Sequence, residues 1–351
     1  MKKKQSAFLI IALLISLIIL GLLYFNFKSN KAPNAYLKQG GFNRKVLGYS
    51  QRSLYKYELK KGYYNIVGIL GERIIIHECY TPNLTILDSN KANTIIKLPS
   101  EINPNNIFAI SINPYNSSLL DIECGNDGKI FTFDISTAKL TDTYKFNFYF
   151  EKPVRASKDS FYCFVMGKKE NLYNLALVKF DPQKQAYIVR QSDISKVAMT
   201  DDGIFQKNNN DLIYVNYYNN NIMVIDSSFA KVVQYKTIDT ITTRPKTVTL
   251  RNGTITKFLS APRPVNQLMQ TSREYLFINS YVKADNDDLD INPQHPTDFI
   301  DVYDMNTNYS YKGTIYLDRI EKGDRMQSFF IQGNKLIAQY SNCTVVYELN
   351  F

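Results

Sequence analysis

Tryptophan is absent from the 351-residue chain, histidine occurs twice and cysteine four times. Two histidines, His77 and His295, leave little material for a Ser–His–Asp triad or a histidine-rich metal centre. No pair of cysteines is spaced Cys-x-x-Cys, which argues against a zinc knuckle or a thioredoxin-type redox motif. The GxSxG, HExxH, P-loop and dinucleotide fingerprints are also missing. Basic residues outnumber acidic ones, 42 to 32. They are scattered rather than clustered, so no nucleic-acid partner is expected. The excess gives a basic surface, or an attraction to anionic lipid head groups or an acidic ligand.

One long apolar run is present. Residues 7–25 carry no charge and follow Lys2, Lys3 and Lys4. A helix rising ~1.5 Å per residue over such a run crosses a bilayer core of ~30 Å. The lysine cluster stays in the cytoplasm by the positive-inside rule, which sends the rest of the chain outward. A cleaved signal peptide is the other reading. Its apolar region would be shorter, and Tyr24, Phe25, Asn26, Phe27 and Lys28 make a poor cleavage context. The expected organisation is a cytoplasmic lysine cluster and transmembrane signal anchor over 1–27, a polar tether over 28–43, and a folded body over 44–351. The body is expected on the extracytoplasmic, periplasmic side of a single-pass inner-membrane protein.

The body is rich in tyrosine (26) and phenylalanine (21), which favours strands. A short strand ending in an acidic residue recurs along it: LTILD, IFTFD, LVKFD, IMVID, IDVYD and TVVYE, ending at Asp88, Asp134, Asp181, Asp226, Asp304 and Glu348. The intervals are 46, 47, 45, 78 and 44 residues. A period near 45 fits one four-stranded blade of a β-propeller, whose units bury their faces only by stacking in a ring. The fold class is therefore all-β, a six-bladed propeller preceded by one transmembrane helix. Seven blades is the alternative if 239–265 hides a degenerate unit. The last repeat lacks a fourth strand, and residues 44–47 (RKVL) are expected to supply it and close the ring. The recurring aspartate reads as the acceptor of an Asx-turn rather than as a catalytic group.

The long interval contains two insertions, 239–265 and 283–298. Insertions on a rigid scaffold are common places for binding. The first resembles a hairpin with Asn252-Gly253 at its tip; its Arg244, Lys246, Arg251, Lys257 and Arg263 make it a basic element for an anion or acidic partner. The second carries Asp285, Asp287, Asp288 and Asp290, with Asp298 beyond and His295 between prolines. This oxygen-rich cluster suits Ca²⁺ or a solvated acidic loop pairing with the basic hairpin; it lacks the central glycine and distal glutamate of an EF-hand loop. Cys79 and Cys124 hold similar places in adjacent blades, where a disulfide between them is one option.

The strand-then-aspartate repeat resembles the six-bladed propellers related to TolB and the NHL-repeat proteins, over about residues 44–351. Such propellers place the two insertions on one face, around the mouth of a central channel. The resemblance implies a protein- or ligand-binding module of the bacterial envelope. A second reading comes from propellers similar to lactonases and strictosidine synthase, which hold a metal in the channel with Glu, Asn and Asp. Here the innermost strands offer Asn65, Asn113, Arg155 and Gln270, a set poor in carboxylates. No cofactor is expected beyond that Ca²⁺, and the missing tryptophan weakens a quinoprotein reading.

Overall fold

Each acidic repeat lies on or at the end of the third strand of an antiparallel blade in a computed structural model of the chain. The structure describes residues 41–49, 53–89, 93–166, 173–181, 186–197, 199–249, 256–287, 297–321 and 324–349, with Ser16 alone before them. The apolar run at 7–25, apart from Ser16, and the tether up to residue 40 lie outside these residues. Among the described residues no helix is long and apolar enough to cross a membrane.

Six blades follow one another. Blade 1 comprises Tyr64–Leu70, Arg73–Glu78, Asn83–Leu87 and Thr94–Lys97. Blade 2 comprises Ala109–Ile112, Leu119–Cys124, Lys129–Asp134 and Lys139–Lys145. Blade 3 comprises Phe150–Ser157, Ser160–Met166, Tyr173–Asp181 and Ala186–Val197. Blade 4 comprises Gly203–Asn208, Asp211–Asn216, Asn221–Asp226 and Val232–Lys236. Blade 5 comprises Asn266–Ser272, Tyr275–Ser280, Thr297–Asp304 and Ser310–Asp318. Blade 6 comprises Ser328–Gln332, Lys335–Gln339 and Cys343–Glu348. The first strand of each blade is innermost. Among the described residues the stretch 239–265 contributes a two-stranded hairpin, Thr247–Thr249 with Thr256–Phe258, rather than the four strands of a seventh blade.

Second and third strands read as near-continuous apolar runs because both of their faces are covered by neighbouring blades. Ile74, Ile75 and Ile76 are all buried. The core is accordingly divided among six seams. Val67, Ile75 and Leu120 fill the seam between blades 1 and 2; Phe150, Phe161 and Ile130 fill that between 2 and 3. Phe164, Phe205 and Tyr214 join blades 3 and 4. Ile213 and Leu276 join 4 and 5, Val302 and Phe329 join 5 and 6, and Ile76 and Val346 join 6 and 1. Each fully buried aliphatic or aromatic side chain stabilises by roughly 1.5–3 kcal/mol. Gly68 lies at a bulge on the innermost strand of blade 1 with φ +154°; a Cβ there would come within 2.5 Å of Ile112 Cδ1, so its bareness sets the spacing of blades 1 and 2.

Three of the repeated aspartates are turn acceptors, as their position implies. Asp134 accepts from the backbone N–H of Ser136 at 2.8 Å, Asp226 from that of Ser228 at 2.8 Å, and Asp304 from that of Asn306 at 3.0 Å.

The ring is closed by a different segment from the one expected. Ser53–Glu58 pairs antiparallel with Cys343–Glu348 and supplies the fourth strand of blade 6, Ser53 opposite Tyr347 and Glu58 opposite Cys343. Residues 44–47 instead belong to a strap. Val46–Tyr49 runs parallel to Ser310–Asp318 and adds a fifth strand to blade 5. The physical reason is the side-chain pattern. Leu54 and Tyr57 of SLYKYE pack on Ile74, Ile337 and Val346, whereas Val46 of RKVL is exposed and Arg44 is buried in a polar socket. Gly313, at φ +156°, permits the strap's close approach: a Cβ there would meet Leu47 Cβ and Lys45 O, each at 2.9 Å.

Candidate ligand site at the channel mouth

The two insertions come together. Ile241 and Val265 of the first, with Ile238 just before it, pack with Ala284 of the second and Val282 just before it, and Phe42 of the strap completes this small apolar cluster. All of it stands on the face that carries the starts of innermost strands and the ends of second strands. Phe258 of the hairpin meets Tyr218, just past the second strand of blade 4, with ring centroids 5.6 Å apart. Arg244 pairs with Asp201 at 2.7 Å, just ahead of blade 4.

Of the expected basic site residues, Arg244, Lys246, Lys257 and Arg263 are exposed on this face. Arg251 and His295 lie outside the described residues, as do Asp288 and Asp290 of the acidic loop. The other two acidic residues serve the strap rather than the hairpin. Asp285 accepts from the backbone N–H of Gly41 at 2.7 Å. Asp287 is buried and paired with Arg44, whose Nε also donates to Asp301 at 3.0 Å and whose Nη2 donates to Val282 O at 2.8 Å. The Arg44 guanidinium sits 4.4 Å from the Phe299 ring centroid. Burial works against its charge, but Asp301 and Asp287 outweigh it and hold the guanidinium above its ordinary range. Nearby Asp239 is pushed up to about 6, chiefly by burial.

A cavity of about 800 Å³ opens on the same face where blades 5, 6 and 1 meet. Its size matches that of sites for small ligands. Tyr63, Tyr64, Asn65 and Cys79 of blade 1 form one wall; Gln327 and Ser341 of blade 6, with Arg325 and Met326 leading into it, form another; Gln267 and Tyr281 of blade 5 complete it. The walls are pinned from behind. Gln327 Oε1 accepts from Tyr64 N at 2.8 Å while its Nε2 donates to Gly62 O at 3.0 Å. Asp324 accepts from Ser341 Oγ at 2.9 Å, and Asp298 accepts from Met326 N at 3.0 Å and Arg319 Nη2 at 3.0 Å. Arg325 stacks 5.0 Å above the Tyr281 ring, and Tyr63 is 71% exposed. Gln267 Oε1 is buried with no hydrogen-bond partner among the described residues.

All four cysteines are free thiols, so Cys79 and Cys124 form no bridge. Burial raises every one, Cys124 to about 12 and Cys343 to about 11. Cys79 alone is only half-buried, and it lines the cavity. In the native protein one thiol, Cys79, is therefore expected to react with a maleimide while the other three stay blocked until unfolding. Labelling of two or more thiols, read by intact mass, would contradict this burial pattern. His77 is structural: its Nε2 lies 3.0 Å from Thr81 O, and burial lowers its basicity.

Several of the innermost-strand residues are engaged elsewhere. Arg155 is locked to Asp121 by contacts of 2.6 Å from Nε and from Nη2, Asn113 lies just past its strand and caps Tyr115 N at 2.9 Å, and Asn65 faces the mouth cavity. Among the described residues no three His, Cys, Asp or Glu side chains are grouped as metal ligands. The cavity itself was hidden from sequence reasoning because its walls come from connections of ordinary length.

No protein-family model matches the chain, and no curated protein sequence matches it. Solved structures do. Virginiamycin B lyase from Staphylococcus aureus is similar at 10% identity with a TM-score of 0.50, over 84% of this chain and 99% of that one. A member of the DUF4221 family from Bacteroides vulgatus is similar at 12% identity with a TM-score of 0.50, over 89% and 98%. At such identities the likeness is one of fold: the chain is a six-bladed β-propeller.

Proposed function

We propose that this chain is a membrane-anchored, extracytoplasmic propeller of the bacterial envelope that binds a small molecule or a protruding segment of a protein at its channel mouth. The observation that carries the binding role is the cavity of about 800 Å³, pre-formed by pinned walls and lined by Gln267, Tyr281 and Arg325. The anchorage rests on the charge-free run at 7–25 behind Lys2–Lys4. The inserted basic residues Arg244, Lys246, Arg251 and Arg263, with His295, are proposed as an accessory contact surface.

Cys79 supplies a reporter for the test. The purified full chain is challenged with panels of amino acids, nucleosides, oligosaccharides and short peptides. A true ligand slows maleimide labelling of Cys79 and raises the melting temperature. Gln267→Ala and Tyr281→Ala should each weaken that ligand at least roughly tenfold, as loss of a buried polar or aromatic contact does. A ligand whose affinity is indifferent to both substitutions binds elsewhere. Anchorage is read separately: the chain should resist extraction by alkaline carbonate, and its propeller should be digested by protease added to spheroplasts.

A further inference from the structure

The hairpin of the first insertion has a composition that the mouth cavity does not explain. On a solvated turn, apolar side chains are normally turned inward or replaced. Here Leu259 is 66% exposed and Val248 43% exposed, and they lie among the exposed cations Lys246, Lys257 and Arg263. Lys246 and Leu259 are adjacent across the hairpin, Leu259 N donating to Lys246 O at 2.9 Å. The element is also braced against bending back. Phe258 is packed on Tyr218, and Arg244 is tied to Asp201. Apolar tips surrounded by lysine and arginine, on a supported projection, form an interfacial membrane contact: apolar groups enter the acyl boundary while cations meet anionic head groups.

The position of the chain entry agrees. Gly41 lies against Thr240, Asp285 N donates to Phe42 O at 2.9 Å, and both belong to the face that carries the hairpin. The protein chain therefore enters the propeller on that face. If residues 7–25 span the bilayer, residues 26–40 reach roughly 50 Å at most when fully extended. The entry face is then held near the membrane, with its hairpin within reach of it.

We infer that the 246–249 and 256–259 hairpin docks on the anionic surface of the membrane from which the chain emerges, fixing the propeller with its channel mouth toward the lipid. This rests on the anchorage proposed above, and its test separates the two. Because the chain has no tryptophan, Leu259→Trp in the full-length protein places a single indole on the exposed face of the hairpin. In nanodiscs containing phosphatidylglycerol the indole emission should shift to the blue and be quenched by brominated acyl chains. Both signals should be lost in phosphatidylcholine alone, at high salt, and in the K246E/K257E background, while the protein stays bound to the disc. Val248→Trp should behave in the same way and guards against a local effect of one substitution. An indole that stays in water in anionic discs overturns the inference while leaving anchorage intact. So does one whose shift ignores lipid charge, or one that shifts only with an acidic protein partner and no lipid. If the chain instead leaves the bilayer at high salt, the anchor has failed; a blue shift of the soluble protein on added anionic vesicles then still upholds the hairpin's role, and its absence overturns that too.

Discussion

Arg44→Met is expected to be among the most damaging single changes outside the six hydrophobic seams, lowering stability by about 3–5 kcal/mol. The guanidinium is 3% exposed and lies between Asp287 and Asp301. Removing it leaves two carboxylates in a place already dry enough to push Asp239 upward. Methionine fills much of the volume, so the loss reports the uncompensated charge rather than a void. Two readouts separate this from a general weakening. Hydrogen exchange should quicken first at Val46–Tyr49, because those amides are held to Ser310–Asp318 only while the strap is seated. Arg44→Met/Asp287→Asn should recover some of the loss, since one of the stranded charges is then gone. A melting curve and exchange pattern matching the wild type would show that the strap is held by its strand pairing alone.

The second large effect is a pH dependence that belongs to one residue. Glu123 sits in the seam between blades 2 and 3, beside a cavity of about 30 Å³ that it shares with Ser111 and Arg155. Arg155 is committed to Asp121, at 2.6 Å. Burial drives the Glu123 carboxyl from 4.5 to about 8, and the opposing pull of Lys152 does not overcome it, while Glu151 adds to the rise. The native state therefore holds a proton that the unfolded chain releases near 4.5. Between about 4.5 and 8 the folded form binds more protons, so stability must fall as pH rises through that window and level off above it. Glu123→Gln keeps the shape and cannot ionise. Relative to the wild type it should gain roughly 3–5 kcal/mol between pH 4 and pH 9, the gain growing steadily from about pH 4.5 and levelling off above about 8. Denaturant titrations at a series of pH values measure this directly. Parallel wild-type and variant profiles would mean that Glu123 is ionised in the folded protein.

The blade count was legible because a strand-turn unit repeats its apolar stretch and its terminal acidic residue at Asp88, Asp134 and the rest, and each copy must satisfy the same local physics. The shared face of the two insertions followed from the resemblance to propellers, which open those two connections on one face. What joins across the fold was not. Arg44 and Asp287 stand 243 positions apart, and nothing local in RKVL or in NDD marks one as the other's counter-ion. The closing strand was misplaced by a few residues because any short apolar-containing segment ahead of blade 1 satisfies the need for a fourth strand; only the packing of Leu54 and Tyr57 on Ile337 and Val346 selects SLYKYE. The mouth cavity left no trace because its makers, Asn65, Gln267, Tyr281 and Arg325, are ordinary residues of ordinary connections, brought together by ring closure.

The order of attachment along the first described residues has a mechanical meaning. Any tension on residue 41 reaches the Arg44 socket and the parallel Val46–Tyr49 strand before it reaches Ser53–Glu58. A parallel pair pulled along its length is loaded in shear, with its hydrogen bonds sharing the force, whereas a closing strand peeled from its end would lose its bonds singly, in succession. The strap thus works as the cord grip does on an electrical plug, letting blade 5 take the strain while the clasp of the ring stays slack.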